Sequence, residues 1–298
     1  MLHGLLIIDK PEGMTSAEVV RVLKRRVQCK VGHLGTLDPF ASGVLPLCVG
    51  EGTKIAQFLN CADKEYTGII RLGAQTDTGD PSGAVMRTAP VPPVSPAQLS
   101  AVAQQFEGDS LQIPPMYSAI KQGGVPLYKL ARQGLAVERA PRRVHIASFQ
   151  LTSHGSSALA FSVSCSKGTY IRVLAQQVAV ALGTAGHLEQ LRRTRFGRFR
   201  VADAIPLAAV ESGAIPAESL PVIGLREALG HLREIRIDAA AEQRARRGYQ
   251  PFLRTLASSG GDEIAKLIGP DNDLVAVIAT DVDGRWQFAR VLSKVPCQ

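Results

Sequence analysis

Cysteine is scarce and poorly placed for structural work. Five occur in 298 residues, at 29, 48, 61, 165 and 297, an odd number with none in a CxxC spacing, and the six histidines form no metal-type pairs with them. That excludes a disulfide scaffold and a structural zinc site, and it suits a reducing cytoplasm. Long apolar runs are also missing. Val44 to Val49 and Leu274 to Ala279 fall far short of the roughly 20 residues needed to cross a bilayer. Leu5-Leu6-Ile7-Ile8 leads straight into Asp9-Lys10-Pro11, with no basic flank and no small-residue cleavage site, so neither a membrane span nor a secretory signal is expected. The absence of a P-loop and of a dinucleotide fingerprint argues against nucleoside-triphosphate and hydride chemistry.

Acidic residues are the minority. Against 26 Asp+Glu stand 34 Lys+Arg, giving a net charge of +8 and a pI near 9.4, a balance that favours a polyanionic partner. Residues 232–298 hold 10 basic and 9 acidic residues, so +7 of the charge lies in residues 1–231. The dominant phosphate-binding surface is therefore expected on that larger portion.

Along the chain, Gly4 to Asp9 reads as a buried strand broken by Pro11-Glu12-Gly13. Thr15 with Glu18, and Ser95 with Gln98, are capping boxes that open helices; the first carries Arg21, Lys24, Arg25 and Arg26 on its polar side. Tyr66 to Leu72 is a second strand, followed by a turn-rich stretch from Gly73 to Gly83. Residues 113–143 are rich in Pro, Gly, Tyr and basic side chains with weak periodicity, as expected of a mobile surface insertion. Leu159, Phe161, Val163 and Cys165 alternate with small residues, predicting a half-buried strand that feeds a Lys/Tyr/Arg loop and then a helix. The arginine-phenylalanine segment from Leu191 to Arg200 suits phosphate contact plus base stacking, or equally a strand with an exposed basic side; on the first reading, neutralising Arg192, Arg193 and Arg195 is expected to weaken polyanion binding and flatten its salt dependence. Glu211 to Pro221 reads as a linker to a small β-rich module with a turn at Asp281 to Gly284.

One carboxylate sits in an unusual frame. In Gly32-His33-Leu34-Gly35-Thr36-Leu37-Asp38-Pro39, the glycines permit close approach, while Pro39 fixes its own φ and biases Asp38 away from helix. Asp38 is thus held on a stiff corner before an apolar run. An isolated Asp-Pro turn is ordinarily structural, so the surrounding blocks decide.

Five blocks in order resemble the bacterial tRNA pseudouridine-55 synthase family. They are Gly4 to Pro11 with Gly13 and Thr15-Ser16; the Asp38 block; Lys64-Glu65-Tyr66; Pro115 to Lys121 through Leu127-Tyr128 and Ala131 to Gly134; and Cys165 to Arg172. The resemblance covers nearly the whole chain. It implies a mixed α/β fold, with a long, mainly antiparallel sheet and a central cleft in residues 1–220, a thumb-like insertion at 113–143, and a PUA-like RNA-binding domain over 221–298.

The activity implied is isomerisation of a tRNA T-loop uridine by a stand-alone cytoplasmic monomer, without cofactor or metal. By resemblance Asp38 is the catalytic aspartate, attacking C1′ or deprotonating C2′. Arg172 pairs with it, and Tyr66 stacks on the base and is placed to take the C5 proton. His33 fills the space left by displaced nucleotides, Tyr170 and Leu191 line the uracil pocket, and Lys10 joins substrate binding. Leu34 departs from the threonine usual at its position. Two alternatives stay open: a tRNA chaperone without turnover, and a guide-RNA-dependent synthase.

Overall fold

A computed structural model describes residues 2–59, 62–257 and 263–294; Cys61 and Cys297 lie outside them. The first strand, β1 (Gly4–Lys10), is buried at nearly every position because both faces are covered. Leu6 and Ile8 enter one core, and Leu5 and Ile7 enter a second on the opposite side of the sheet, as the two-residue period of a strand requires. Helix α1 (Ser16–Val27) starts at the Thr15 capping box, where the Glu18 N–H donates to Thr15 Oγ1 and the Thr15 N–H donates to Glu18 Oε2. It buries Val19, Val22 and Leu23 and leaves Arg21, Lys24, Arg25 and Arg26 exposed.

There follow β2 (Val31–His33), β3 (Ser42–Val49), α2 (Gly52–Leu59), β4 (Lys64–Leu72) and the small hairpin of β5 (Ala74–Thr76) and β6 (Val85–Thr88). Helix α3 (Pro96–Phe106) opens on the second capping box, and β7 (Gly108–Gln112) leads to the insertion. Its elements are β8 (Lys121–Gln122), β9 (Val125–Pro126) and a helix the weak periodicity did not reveal, α4 (Leu127–Arg132). Pro126 precedes that helix and Gly134, at φ 74°, lies just beyond its end. Arg142 and Arg143 already belong to β10 (Arg142–Ser153), paired with Gln112 and Leu111.

Strand β11 (Ala158–Cys165), helix α5 (Ile171–Ala181), β12 (Gly186–Phe196), β13 (Phe199–Arg200), β14 (Ile205–Pro206) and α6 (Leu207–Glu211) complete the first portion. Its sheet has ten strands in the order β14-β1-β3-β12-β4-β11-β10-β7, with β2 on β3 and β13 on β12. Only β1–β14 and β3–β12 pair in parallel. The parallel join of β3 to β12 sets Gly43 opposite Arg193, which brings the Asp38 loop beside the centre of the sheet.

Beyond Pro221, Leu5 exchanges hydrogen bonds with Ile223 at 2.9 and 2.8 Å, so the connecting segment is stitched to β1. Helix α7 (Leu225–Ala228), β15 (Arg233–Arg236), α8 (Ala239–Arg246), β16 (Ile264–Ile268), β17 (Leu274–Thr280) and β18 (Trp286–Val291) follow, the four strands forming a separate sheet. Ile268, Leu274, Val277 and Leu292 share a core with Leu5, Val44, Phe196 and Phe199. The second sheet therefore packs directly on the first.

Candidate active site

Asp38 stands on the loop between β2 and β3, and the loop is fixed from beneath. Ser16 Oγ donates to the Leu37 carbonyl at 3.0 Å and accepts from the Leu37 N–H at 2.9 Å. The Gly13 N–H donates to the Pro39 carbonyl at 2.8 Å. Lys10 Nζ donates to the carbonyls of Met14, Pro11 and Pro39 at 2.6, 2.8 and 3.3 Å. Lys10 is 0% exposed, and it braces the loop from the position where the sequence led us to expect a substrate contact. Burial pushes its ammonium down to about 8, with Asp38 and Glu12 opposing.

Arg172 lies in the first turn of α5. Tyr170, the preceding N-cap, makes no side-chain cap; instead Gln112, reaching over from β7, accepts from the Tyr170 N–H at 2.7 Å and donates to its carbonyl at 3.2 Å. The Arg172 side chain is 6% exposed and its Nε lies 2.9 Å from Asp38 Oδ2. Nη1 donates to the Thr78 carbonyl at 2.8 Å, and Nη2 donates to the Tyr117 carbonyl at 2.7 Å and, more weakly, to Asp38 Oδ1 at 3.5 Å. Buried Asp80 stands 3.8 Å from Nη1. Planar guanidinium geometry lets one side chain bind this set of acceptors.

Asp38 keeps a side chain 35% open to solvent, but it opens into a concavity where protein atoms crowd the carboxylate. That burial raises its pKa, the Arg172 charge pulls it back, and Asp80 adds a smaller push upward. Tyr66, on β4 opposite Arg193 of β12, is also raised by burial, against the lowering charge of Arg193. Its phenol is therefore protonated at neutral pH.

Asp38, Tyr66, Tyr170, Arg172 and Leu191 line one cleft of about 550 Å³. His33 is not in its wall. It is half-buried on β2, two residues before cleft-lining Gly35, with a buried Nδ1 lacking a hydrogen-bond partner among the described residues. Burial first, and Arg193 second, depress its pKa.

Several cleft residues were missed from sequence. Lys64 shares a β4 face with Tyr66, a signal the two-residue period offers. Lys167 was within a quoted block, and Arg142 and Arg143 close the insertion; all four line the cleft. Asp80 gave no signal beyond its turn-rich surroundings.

The arginine-phenylalanine segment is corrected most. Arg193 is 1% exposed and donates to the carbonyls of Val44 and Gly35 at 2.7 and 2.8 Å. Arg192 pairs with Asp9 and Arg195 with Glu65, each at 2.7 Å. Phe196 and Phe199 are buried. Bulges at Leu188/Gln190 and Arg193/Arg195 break the simple alternation that would have put a basic row on the surface.

Residues 21–171 match the model of the TruB family pseudouridylate synthase (N terminal domain). The tRNA pseudouridine synthase B of Opitutus terrae is 47% identical over 216 residues, spanning 72% of this chain and 90% of that protein. Its namesake from Geobacter sulfurreducens is 39% identical over 290 residues, 96% and 95% of the two chains. Among solved structures, a chain in "Structure of H/ACA RNP bound to a substrate RNA containing 2'-deoxyuridine" aligns with a TM-score of 0.70 at 23% identity, covering 98% of this chain and 86% of that one. One from a Cbf5-Nop10-Gar1 complex gives 0.69 at 25%, covering 98% and 84%. At such identity the first of these speaks to fold alone, and the fold agrees.

Proposed function

The chain belongs to the TruB family of pseudouridylate synthases, and from that premise we propose that it isomerises uridine to pseudouridine in tRNA, at position 55 of the T-loop. The observation that carries the proposal is the Asp38 carboxylate held by a buried Arg172 inside a cleft with a tyrosine wall and basic residues around it. The reaction breaks N1–C1′, turns the uracil, and joins C5 to C1′. The C5 proton is lost and N1 gains one, so atoms and electrons balance without cofactor.

Asp38 acts on the ribose, as nucleophile at C1′ or base at C2′. Arg172 keeps it charged and oriented in a poorly solvated site. Tyr66 stacks its ring on the base and is placed to take the C5 proton, with burial raising its pKa and the Arg193 charge opposing that shift. Tyr170 and Leu191 complete the uracil pocket, and Arg142, Arg143 and Lys167, all exposed along the cleft, take flanking phosphates. His33 enters the RNA loop to fill the gap left by the extruded nucleotide. Residues 113–143 clamp the RNA, and the module beyond residue 220, carrying almost none of the net charge, adds a secondary hold.

We further take the enzyme to act alone, as a cytoplasmic monomer. The relatives at 39% and 47% identity are named for tRNA, which favours this over the guide-dependent reading. Tritium release from tRNA carrying [5-³H]uridine tests the proposal. Purified wild type should release label, and Asp38→Asn should not. Tight tRNA binding by the wild type without release would support the chaperone alternative instead.

A further inference from the structure

We propose that the backbone carbonyl of Tyr117 is a positioning group for Asp38: by holding Nη2 of Arg172 it keeps the guanidinium-carboxylate pair one-legged and leaves Oδ1 of Asp38 available to the ribose. The inference rests on the isomerase reading above. A guanidinium presenting Nε and one Nη to a carboxylate normally closes both legs. Here the Nε leg closes at 2.9 Å while the second remains at 3.5 Å, and Nη2 sits 2.7 Å from Tyr117 O. Nη2 carries two hydrogens, so the two acceptors do not compete for a proton. They compete for the position of the nitrogen, and the carbonyl wins. Thr78 O, on Nη1 at 2.8 Å, fixes the rest of the plane, and little water reaches a side chain that is 6% exposed.

Tyr117 belongs to the insertion. The carbonyl of the next residue, Ser118, accepts from the Tyr128 N–H in α4 at 3.1 Å. The Tyr117 hydroxyl donates to Asp77 Oδ2 at 3.4 Å, while Asp77 Oδ1 accepts from the Ala84 N–H at 2.9 Å. The seat of the insertion is thereby tied to the hold on the catalytic carboxylate. When the insertion is docked, Oδ1 is free to react. When it lifts, Nη2 closes on Oδ1 and ties both oxygens. The seating of the insertion thus maintains the reactive form of the site.

The charged and titratable groups facing Asp38 are Arg172 from α5, Asp80 from the turn after β5, Lys10 from β1, Tyr66 from β4, and Tyr170. The test titrates the Asp38 carboxyl carbon by ¹³C NMR, its resonance identified by loss in Asp38→Asn. Wild type is compared with Tyr117→Gly, which removes the ring and hydroxyl that seat the residue, and with Tyr117→Phe, which removes only the hydroxyl.

A second charge-assisted hydrogen bond favours the carboxylate, so Tyr117→Gly should lower the carboxyl pKa by at least about half a unit. It should slow single-turnover isomerisation by about tenfold or more at the pH plateau. Tyr117→Phe should move both in the same direction by less, and it decides the matter if the glycine variant does not fold. An unchanged or raised pKa overturns the proposal; a rise would mean the carbonyl merely steadies Arg172 against Asp38. The carboxyl titration is independent of turnover. If the wild type makes no pseudouridine, the isomerase reading fails while this measurement still gives its answer.

Discussion

Replacing Arg142, Arg143 and Lys167 together by glutamine separates two accounts of where the RNA backbone lies. All three are exposed and line the cleft; Arg192 and Arg195, outside its wall, pair with Asp9 and Glu65. Each phosphate neutralised contributes about 0.7 to 0.9 to the slope of log affinity against log salt. Losing all three contacts should therefore lower the slope by about 2 to 3. Between 50 and 200 mM salt, a slope change of 2 corresponds to a roughly 16-fold difference in how far affinity falls. Fluorescence anisotropy of labelled tRNA, measured in the Asp38→Asn background so that no turnover intervenes, gives the slope directly. Arg192→Gln with Arg195→Gln should leave it nearly unchanged, since each of those cations already has a carboxylate. An unaltered slope in the cleft triple variant, with a fall in the Arg192/Arg195 pair, would refute the assignment.

Three further outcomes are expected. Arg172→Met removes the charge that restrains Asp38, so the carboxyl pKa, already raised by burial, should rise further. Since the reaction needs the carboxylate, the acid limb of single-turnover rate against pH should move to higher pH, with a plateau rate lower by about 100-fold or more; a limb displaced to lower pH would contradict the pairing. Lys10→Met should slow turnover while leaving tRNA affinity within about twofold, because Lys10 braces the loop from a fully buried position; a large loss of affinity with normal turnover would restore it as an RNA contact. Gly43→Ala should cost about 3 kcal/mol or more in urea unfolding. Gly43 sits at φ 105° and an added Cβ would strike the Arg193 carbonyl, so wild-type stability would show that the β3–β12 crossing is wrong.

Much of the local structure was legible because its causes are local. Thr15 with Glu18 and Ser95 with Gln98 announce helix starts through side chains that reach back to the backbone. The alternation from Leu159 to Cys165 declares a strand covered on one face. Asp38 stood out because a Gly/Pro frame is written in adjacent residues. What was not legible depends on distant parts of the chain. Asp80 meets Arg172 only through the packing of the β5–β6 turn against α5. Lys10 reads as a strand-end cation until the Asp38 loop folds over it. Arg193 looks like a member of a surface row until two bulges and the β3 crossing turn it into the interior. Composition reported the basic character of the first portion correctly, but the sequence carried no marker for which arginines were already committed to internal partners.

The most direct measurement maps pseudouridine by chemical modification and sequencing in a full tRNA transcript incubated with the purified protein alone. Wild type should convert the uridine at position 55, with Asp38→Asn binding the transcript and leaving it unmodified. Conversion that persists in Asp38→Asn, or that requires an added guide RNA, would contradict a self-contained isomerase built on that carboxylate.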